Sequence, residues 1–306
     1  MKQLRKLSPL GLIFASIIMW SSAFAGIRAA LVAYPPGHLA FFRFLVASLV
    51  LGIYSLTGDI RLPDRKDIPI LGLLGFLGIT VYHIALSYGQ LTVTAGSASL
   101  LIASSPVFIA LLAHFFLGER LSRWGWTGIA VSFLGVVLIA LGEGGIFQFE
   151  RGAFLVLTAA VSTSLYFVFQ KPYLCKYSGL ELTTYIIWAG TLFMAPFLSG
   201  FFRTLIQAPF QSTAAVIYLG VFPAALAYVL WTQAFSRYPA SRMASFLYLS
   251  PVLAILIAWL WLSEVPTWLS LVGGGIVLGG AGLVNLKGRV SERPKRVKGR
   301  EYRLLD

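Results

Sequence analysis

The sequence is poor in charge and almost lacks cysteine. Of its 306 residues, 24 are Lys or Arg and 11 are Asp or Glu, whereas the surface of a soluble domain carries roughly a quarter to a third charged residues. This scarcity excludes a water-soluble globule. The single cysteine, Cys175, excludes an intrachain disulfide and any zinc or iron–sulfur site built from several cysteines. We expect neither a metal nor a cofactor.

Motifs for catalysis and for nucleotide binding are missing as well. The chain has no HExxH sequence, no Walker sequence for an ATP-driven pump and no Ser/His pair at helical spacing. None of the eleven carboxylates lies in the middle of an apolar run. These absences argue against an intramembrane enzyme, and also against the carboxylate relays that many ion-coupled pumps use.

Long apolar runs dominate the chain instead. Hydrophobic residues make up 58% of it, and a helix needs about 20 apolar residues to cross a bilayer core of roughly 30 Å. The runs are continuous and too long for barrel strands, so we predict an all-α integral membrane protein. Ten runs predict transmembrane helices over residues 9–29, 38–57, 68–90, 95–117, 124–142, 152–171, 182–202, 212–235, 240–262 and 267–286.

Basic residues are distributed unevenly among the gaps between these runs. If the N-terminus is cytoplasmic, 20 Lys and Arg lie on the cytoplasmic side, eight of them in the tail 287–306, and only Arg151 and Arg203 lie outside. This bias predicts that both termini are cytoplasmic, in a bacterial-type inner (plasma) membrane. The net charge of +13 therefore indicates membrane orientation, and we expect no nucleic-acid partner.

The chain also matches itself. In a register of 145 residues, 12 of 47 positions between 95–141 and 240–286 are identical, including Ser105-Pro106-Val107 with Ser250-Pro251-Val252 and Glu119 with Glu264. The first helices align more weakly, Ser21-Ser22 with Ser162-Thr163. This repeat also favours a helix over a cleaved signal peptide for the first run.

The repeat divides the chain into residues 1–145, residues 146–286 and a basic cytoplasmic tail, 287–306. Each repeat holds five predicted spans. Because five is odd, the two copies enter the membrane from opposite sides, and such inverted repeats are typical of secondary transporters.

Polar and aromatic residues within the spans are the candidates for function. His83 is the only titratable group near a midplane; it either carries a coupled proton or is a neutral imidazole in the bundle. Arg28 and Arg43 either attract a substrate carboxylate or are structural. Aromatic residues on the inner helix faces are suited to stacking on an organic substrate. The predicted cavity residues are Trp20, Phe24, Tyr82, His83, Tyr166, Tyr228, Trp231 and Tyr248.

Several stretches together carry a family resemblance. They are Trp20-Ser-Ser-Ala-Phe24, Arg43-Phe44, Ala85-Leu-Ser-Tyr88 and the segment from Ser105-Pro106 to Glu119-Arg120. The chain resembles the EamA-type branch of the drug/metabolite transporter superfamily, and most of all its YddG-type exporters of aromatic and other amino acids. The resemblance implies ten helices in two inverted repeats around a central cavity, with structural roles for Pro106, Glu119, Pro251 and Glu264.

Three function classes follow from these patterns. The repeat and the resemblance favour a secondary transporter that exports or facilitates amino acids and related small metabolites by alternating access. Phosphorylated or nucleotide-type metabolites are the alternative substrates, since other members of the superfamily move them. A channel or an intramembrane enzyme is the alternative of a different class. Apart from a small-molecule substrate and the lipid bilayer, no partner is implied.

Overall fold

The computed structural model describes residues 8–56, 60–93, 95–142, 151–262, 267–288 and 290–292. These residues are nearly all helical. The α-helices are α1 (Pro9–Leu31), α2 (Pro36–Leu56), α3 (Ile68–Gly75), α4 (Tyr82–Gly89), α5 (Ala95–Ile102), α6 (Ser105–Leu112), α7 (Arg123–Gly142), α8 (Arg151–Gln170), α9 (Gly179–Phe193), α10 (Phe201–Gln207), α11 (Phe210–Leu219), α12 (Ala227–Phe235), α13 (Ala240–Ser245), α14 (Leu249–Leu262) and α15 (Trp268–Lys287).

Tighter or wider helical turns join several of these helices. Short 3₁₀ segments cover Arg65–Asp67, Lys171–Cys175, Ala195–Leu198 and Phe246–Tyr248. π-Helical turns cover Phe76–Val81, Ala113–Leu117 and Gly220–Leu226. The first and third π turns are 145 residues apart, so the two repeats carry the same irregularity at matching positions.

Among the described residues, six helices are long and apolar enough to cross a membrane: Pro9–Leu31, Pro36–Leu56, Arg65–Gly89, Arg151–Cys175, Phe210–Phe235 and Ala240–Ile257. Three further apolar helices are shorter: Ser105–Leu117, Arg123–Leu138 and Leu271–Lys287. Large apolar side chains such as Phe154 and Leu192 are more than 70% exposed. Such side chains suit lipid rather than water, which agrees with the predicted membrane protein.

Local signals explain where helices begin. The Ser8 hydroxyl accepts a hydrogen bond from the Gly11 amide at 3.1 Å, and Pro9 occupies the first turn of α1, where a missing N–H costs nothing. α9 begins with a capping box between Ser178 and Glu181.

Helices α7 and α15 pack with their backbones almost in contact. A Cβ atom placed on Gly128 would lie 2.7 Å from the Gly280 carbonyl, and one on Gly135 would lie 2.7 Å from the Gly273 carbonyl. The partner's number falls as the first number rises, so the two helices run antiparallel. Gly128 and Gly273 are repeat equivalents, as are Gly135 and Gly280, so one contact is the copy of the other.

Serine contacts also recur in the two halves. The Ser21 hydroxyl donates to the Ser250 carbonyl at 3.2 Å, and the Ser164 hydroxyl donates to the Ser105 carbonyl at 3.3 Å. Because Ser105 and Ser250 are repeat equivalents, Ser164 occupies the place of Ser21. The offset between α1 and α8 is therefore 143 residues, two more than the alignment of Ser21-Ser22 with Ser162-Thr163 implies.

The Glu119 carboxylate, 3% exposed, holds the beginning of α13. It accepts hydrogen bonds from the Ala240 and Ser241 amides at 2.6 and 2.9 Å and from the Ser241 hydroxyl at 2.5 Å. A carboxylate at a helix N-terminus satisfies amides that have no partner inside the helix. Its repeat equivalent, Glu264, lies outside the described residues.

The two repeated prolines take different positions in their helices. Pro106 lies in the first turn of α6 and is buried. Pro251 is buried in α14, two residues after that helix begins.

A short strand pair departs from the predicted all-α fold. β1 (Glu119–Leu121) pairs antiparallel with β2 (Val290–Glu292), with Arg120 opposite Ser291. No alternating pattern marks these three-residue strands in the sequence, so periodicity could not find them.

Candidate functional site

Contacts at the two ends of the bundle define its geometry. We call one end the Lys171 end; there Lys171, directly after α8, meets the last residue of α12. The opposite end, the Arg28 end, is where Arg28 in the last turn of α1 meets Gln90, directly after α4.

A cavity of about 70 Å³ extends from the middle of the bundle toward the Arg28 end. On the same measure a single buried water needs about 10–15 Å³, so the cavity suits a small organic molecule. Its wall is mostly apolar and aromatic. The lining residues are Trp20, Ala23, Phe24, Ile27, Arg43, Tyr82, His83, Leu86, Ser99, Ile102, Ala103, Ser105, Thr163, Phe167, Tyr228, Leu247 and Ser250.

Arg43, His83 and Tyr228 form one hydrogen-bonded chain in the wall. Arg43 Nη1 lies 3.3 Å from His83 Nδ1, and His83 Nε2 lies 3.0 Å from the Tyr228 hydroxyl. A guanidinium can only donate, so Nδ1 accepts and the imidazole proton is on Nε2. His83 therefore donates to the Tyr228 oxygen. The Tyr228 proton remains available to donate to another acceptor.

The Arg43 side chain is buried, with 2% of its surface exposed. Among the described residues the ion pairs are those of Lys176 with Asp64 and Asp67, so no carboxylate neutralises Arg43 there. Its Nε atom has no hydrogen-bond partner in this part of the chain. A buried cation without a counter-ion is costly, and it attracts an anionic group into the cavity.

Trp20 is the centre of the aromatic wall. Its indole Nε1 donates to the Pro223 carbonyl, within the π turn, at 3.0 Å. This bond fixes the ring, whose centroid lies 5.2 Å from that of Tyr228, 5.0 Å from Trp231 and 6.4 Å from Phe167. Ring faces held in this way can bind a cationic group such as an ammonium.

The structure brings together only part of the predicted cavity set. Trp20, Phe24, Tyr82, His83 and Tyr228 line the cavity. Tyr166, Trp231 and Tyr248 are at most 1% exposed and do not line it. Tyr248 packs in a separate apolar cluster with residues of α7 and α15, such as Ile129 and Val277.

Sequence reasoning missed several lining residues, and it left Arg43 open between two roles. Ser99, Thr163 and Phe167 carry no signal of their own in an apolar sequence. The repeat does offer a signal for Thr163 and Phe167, because an offset of 143 residues makes them the equivalents of Trp20 and Phe24. Only the structure supplies that offset.

Arg28 and Lys171 occupy equivalent positions at opposite ends. Arg28 Nη1 donates to the Gln90 carbonyl at 3.4 Å. Lys171 Nζ donates to the Phe235 carbonyl at 2.5 Å and also to the Tyr238 carbonyl. Both cations bind carbonyls at the end of a helix, where they complement the helix dipole. Arg28 does not line the cavity.

A sequence model described as the EamA-like transporter family matches residues 7–141 and again residues 150–286. The chain belongs to this family. It is a multi-pass membrane transporter and not an enzyme. The helical bundle and its cavity are thus those of an EamA-like transporter.

Two relatives and one solved structure resemble this EamA-like transporter over most of its length. It is 44% identical to the transporter YdfC of Bacillus subtilis (strain 168), over 88% of each chain. It is 40% identical to a "Probable terminal-alkyne amino-acid exporter" of Streptantibioticus cattleyicolor, over 88% of this chain and 91% of that one. A crystal structure with 22% identity matches it with a TM-score of 0.72, over 91% of this chain and 96% of the other, which shows the fold alone.

Proposed function

We propose that this transporter is a secondary carrier that exports amino acids or closely related small metabolites. The observation that carries the proposal is Arg43, a buried cation without a carboxylate partner among the described residues, in the wall of a small aromatic cavity. The carboxylate of an amino acid supplies the missing anion, since a guanidinium binds a carboxylate through two parallel hydrogen bonds.

The rest of the wall fits the remaining parts of an amino acid. The ammonium group lies against the faces of Trp20 and Tyr228, where ring electrons attract a cation. A short apolar side chain packs against Phe24, Ile27 and Leu86. The printed name of the Streptantibioticus cattleyicolor relative, an exporter of an amino acid, supports this substrate class.

The carrier has ten transmembrane helices in two inverted repeats, with both termini in the cytoplasm. The antiparallel pair α7 and α15 and the doubled serine and cation contacts support the inversion. Of the described basic residues, ten lie at the Lys171 end and three at the Arg28 end. This bias supports a cytoplasmic Lys171 end in the inner membrane. The cavity then faces the outside.

Proton coupling through His83 requires a rearrangement of the wall. An imidazolium donates from both nitrogens and has no acceptor in Arg43, so His83 must leave Arg43 when it takes up a proton. A carboxylate bound to Arg43 provides the occasion, because it accepts the hydrogen bonds that Arg43 now gives to His83.

Uptake of labelled amino acids into proteoliposomes, with and without a pH gradient, tests the proposal. We expect saturable uptake that Arg43→Gln lowers by roughly tenfold to a hundredfold, the value of a hydrogen bond to a charged group. Arg43→Lys keeps the charge and loses less. Arg28→Gln is the matched control, outside the cavity, and is expected to retain transport.

Two outcomes would count against the proposal. If wild-type protein moves no amino acid, the substrate class is wrong, and phosphorylated or nucleotide-type metabolites are screened next. If amino acids move equally well with Arg43→Gln, the carboxylate site is wrong. An uptake rate that ignores the pH gradient removes His83 as a coupling group.

A further inference from the structure

The middle of the cavity is lined by pairs of repeat equivalents. With an offset of 143 residues between α1 and α8 and of 145 elsewhere, ten lining residues form five pairs. These pairs place the axis that relates the two repeats inside the cavity. They are Trp20 with Thr163, Phe24 with Phe167, His83 with Tyr228, Ile102 with Leu247, and Ser105 with Ser250.

The lining on the Arg28 side of this middle has no such balance. Ala23 and Ile27 of α1 and Leu86 of α4 line the cavity, whereas their equivalents on α8 and α12 do not. Those equivalents lie on the Lys171 side and are closed off. They are Tyr166, Gln170 and Trp231.

Rings and a cation close the Lys171 side. The Phe167 centroid lies 5.8 Å from Trp231 and 5.9 Å from Phe235. Beyond them, Lys171 binds the last carbonyl of α12 and lies over the Phe235 ring at 4.8 Å. Helices α8 and α12 therefore meet through side chains that can separate without breaking helical hydrogen bonds.

The three closed-off residues have polar groups without partners. The Tyr166 hydroxyl, the Trp231 indole N–H and both amide atoms of Gln170 are buried and unpaired among the described residues. The Tyr166 hydroxyl lies close to Thr232 and Gln170, but not in hydrogen-bonding geometry. Buried polar groups are nearly always paired, and an unpaired one lowers stability. Three of them at matched positions are explained if another conformation satisfies them.

We infer that Tyr166, Gln170 and Trp231 form a second substrate subsite, which opens toward the Lys171 end when the Arg28 end closes. This inference rests on the proposed function. Gln170 Oε1 and the Tyr166 oxygen accept hydrogen bonds from the ammonium of an amino acid held at Arg43. Trp231 Nε1 and Gln170 Nε2 donate to polar groups of its side chain.

The two subsites differ in chemistry. Ala23, Ile27 and Leu86 offer no hydrogen bond to a substrate on the Arg28 side, whereas their equivalents offer several on the Lys171 side. The carrier therefore binds the amino acid more tightly from the Lys171 end than from the Arg28 end. In an uncoupled carrier the ratio of maximal rate to KM is equal in both directions, so tighter binding at the Lys171 end comes with a lower maximal rate from that end.

Thiol labelling tests the opening without any substrate. In a Cys175→Ala background, Gln170→Cys and its equivalent Ile27→Cys are treated with a membrane-impermeant methanethiosulfonate from either face of oriented vesicles. We expect Ile27→Cys to react only from the Arg28 side and Gln170→Cys only from the Lys171 side. If Gln170→Cys reacts from neither face while Ile27→Cys reacts, the inference is overturned.

Transport kinetics test the binding role. We expect Gln170→Leu to raise KM for entry from the Lys171 side roughly three- to tenfold, the value of one hydrogen bond, and to change KM from the Arg28 side less. Equal changes on both sides would contradict a subsite. Tyr166→Phe, which removes one unpaired oxygen, is the second variant should Gln170→Leu fail to fold.

Thermal unfolding separates a subsite from a structural role. Because the Gln170 amide has no partner in the closed form, Gln170→Leu is expected to keep or raise Tm; a fall in Tm would assign Gln170 to packing. A wild-type protein that moves no amino acid but shows the expected labelling would refute the proposed function and leave the opening of the Lys171 side intact.

Discussion

Lys171 and Arg28 are equivalent residues, yet they hold the two ends of the bundle differently. Lys171 binds two carbonyls closely, at the end of α12 and just beyond it, and the buried Glu119 carboxylate ties α13 in place at the same end. Arg28 makes one hydrogen bond of 3.4 Å to Gln90. The cavity extends toward the loosely held end, and unpaired polar groups lie behind the tightly held one.

This difference shows that one set of contacts, used twice, produces two unequal ends. The residues that differ between equivalent positions then decide how stable each closed end is. Substitutions at these positions measure the inequality directly.

Glu119→Ala is expected to have the largest effect on the Lys171 end. It leaves two amides and a hydroxyl without their buried acceptor, at a cost of about 3 kcal/mol in unfolding free energy, since each hydrogen bond to a charged group contributes about 1.5–3 kcal/mol and some relaxation follows. Chemical unfolding in detergent measures it. Glu119→Gln keeps one acceptor oxygen and should lose less. Equal losses below about 1 kcal/mol would show that the carboxylate does not hold α13.

Lys171→Met should be next in size. Loss of a cation at a helix C-terminus costs about 1–2 kcal/mol, which is roughly a tenfold increase in the open population of the Lys171 end. The rate of Gln170→Cys labelling from that side reports the change. A labelling rate that does not increase would mean that the aromatic rings alone keep this end closed.

Arg28→Met is the matched change at the other end, with a smaller expected effect. A single long hydrogen bond near the surface is worth no more than about 0.5 kcal/mol, roughly a twofold change in Ile27→Cys labelling. An effect as large as that of Lys171→Met would contradict the inequality of the two ends.

Lys176→Ala should have the smallest effect. Lys176 pairs with Asp64 and Asp67 at the Lys171 end, but its side chain is 38% exposed, and exposed ion pairs contribute little. We expect no measurable change in Gln170→Cys labelling at physiological salt. A change that disappears in high salt would show that this pair does help to close the end.

The helices were largely predictable because long apolar runs have few alternatives in a membrane. Contacts between helices were not. Glu119 could be singled out through the repeated Ser-Pro-Val and Glu, yet its role at the start of α13 depends on residues 121 positions away. The short strand pair at the same place leaves no trace in a three-residue pattern.

The site was predictable in part for a related reason. His83 and Tyr228 stood out because they are repeat equivalents at a register that the sequence shows clearly, and they are hydrogen-bonded to each other. In α1 and α8 the register is weak, and an error of two residues turns a helix face by about 160°. Gln170 therefore could not be matched with Ile27, nor could Tyr166 be separated from the open cavity.

The unpaired charge of Arg43 also has an electrical consequence. A cavity filled with water and open to one side brings Arg43 to the potential of that side, so alternation carries its charge across the membrane field. One charge is worth about 2.3 kcal/mol per 100 mV. With the Lys171 end in the cytoplasm, a negative interior favours the inward-open form. A zwitterion adds no net charge, so loaded and empty carriers respond alike, and voltage changes the resting orientation without driving net flux.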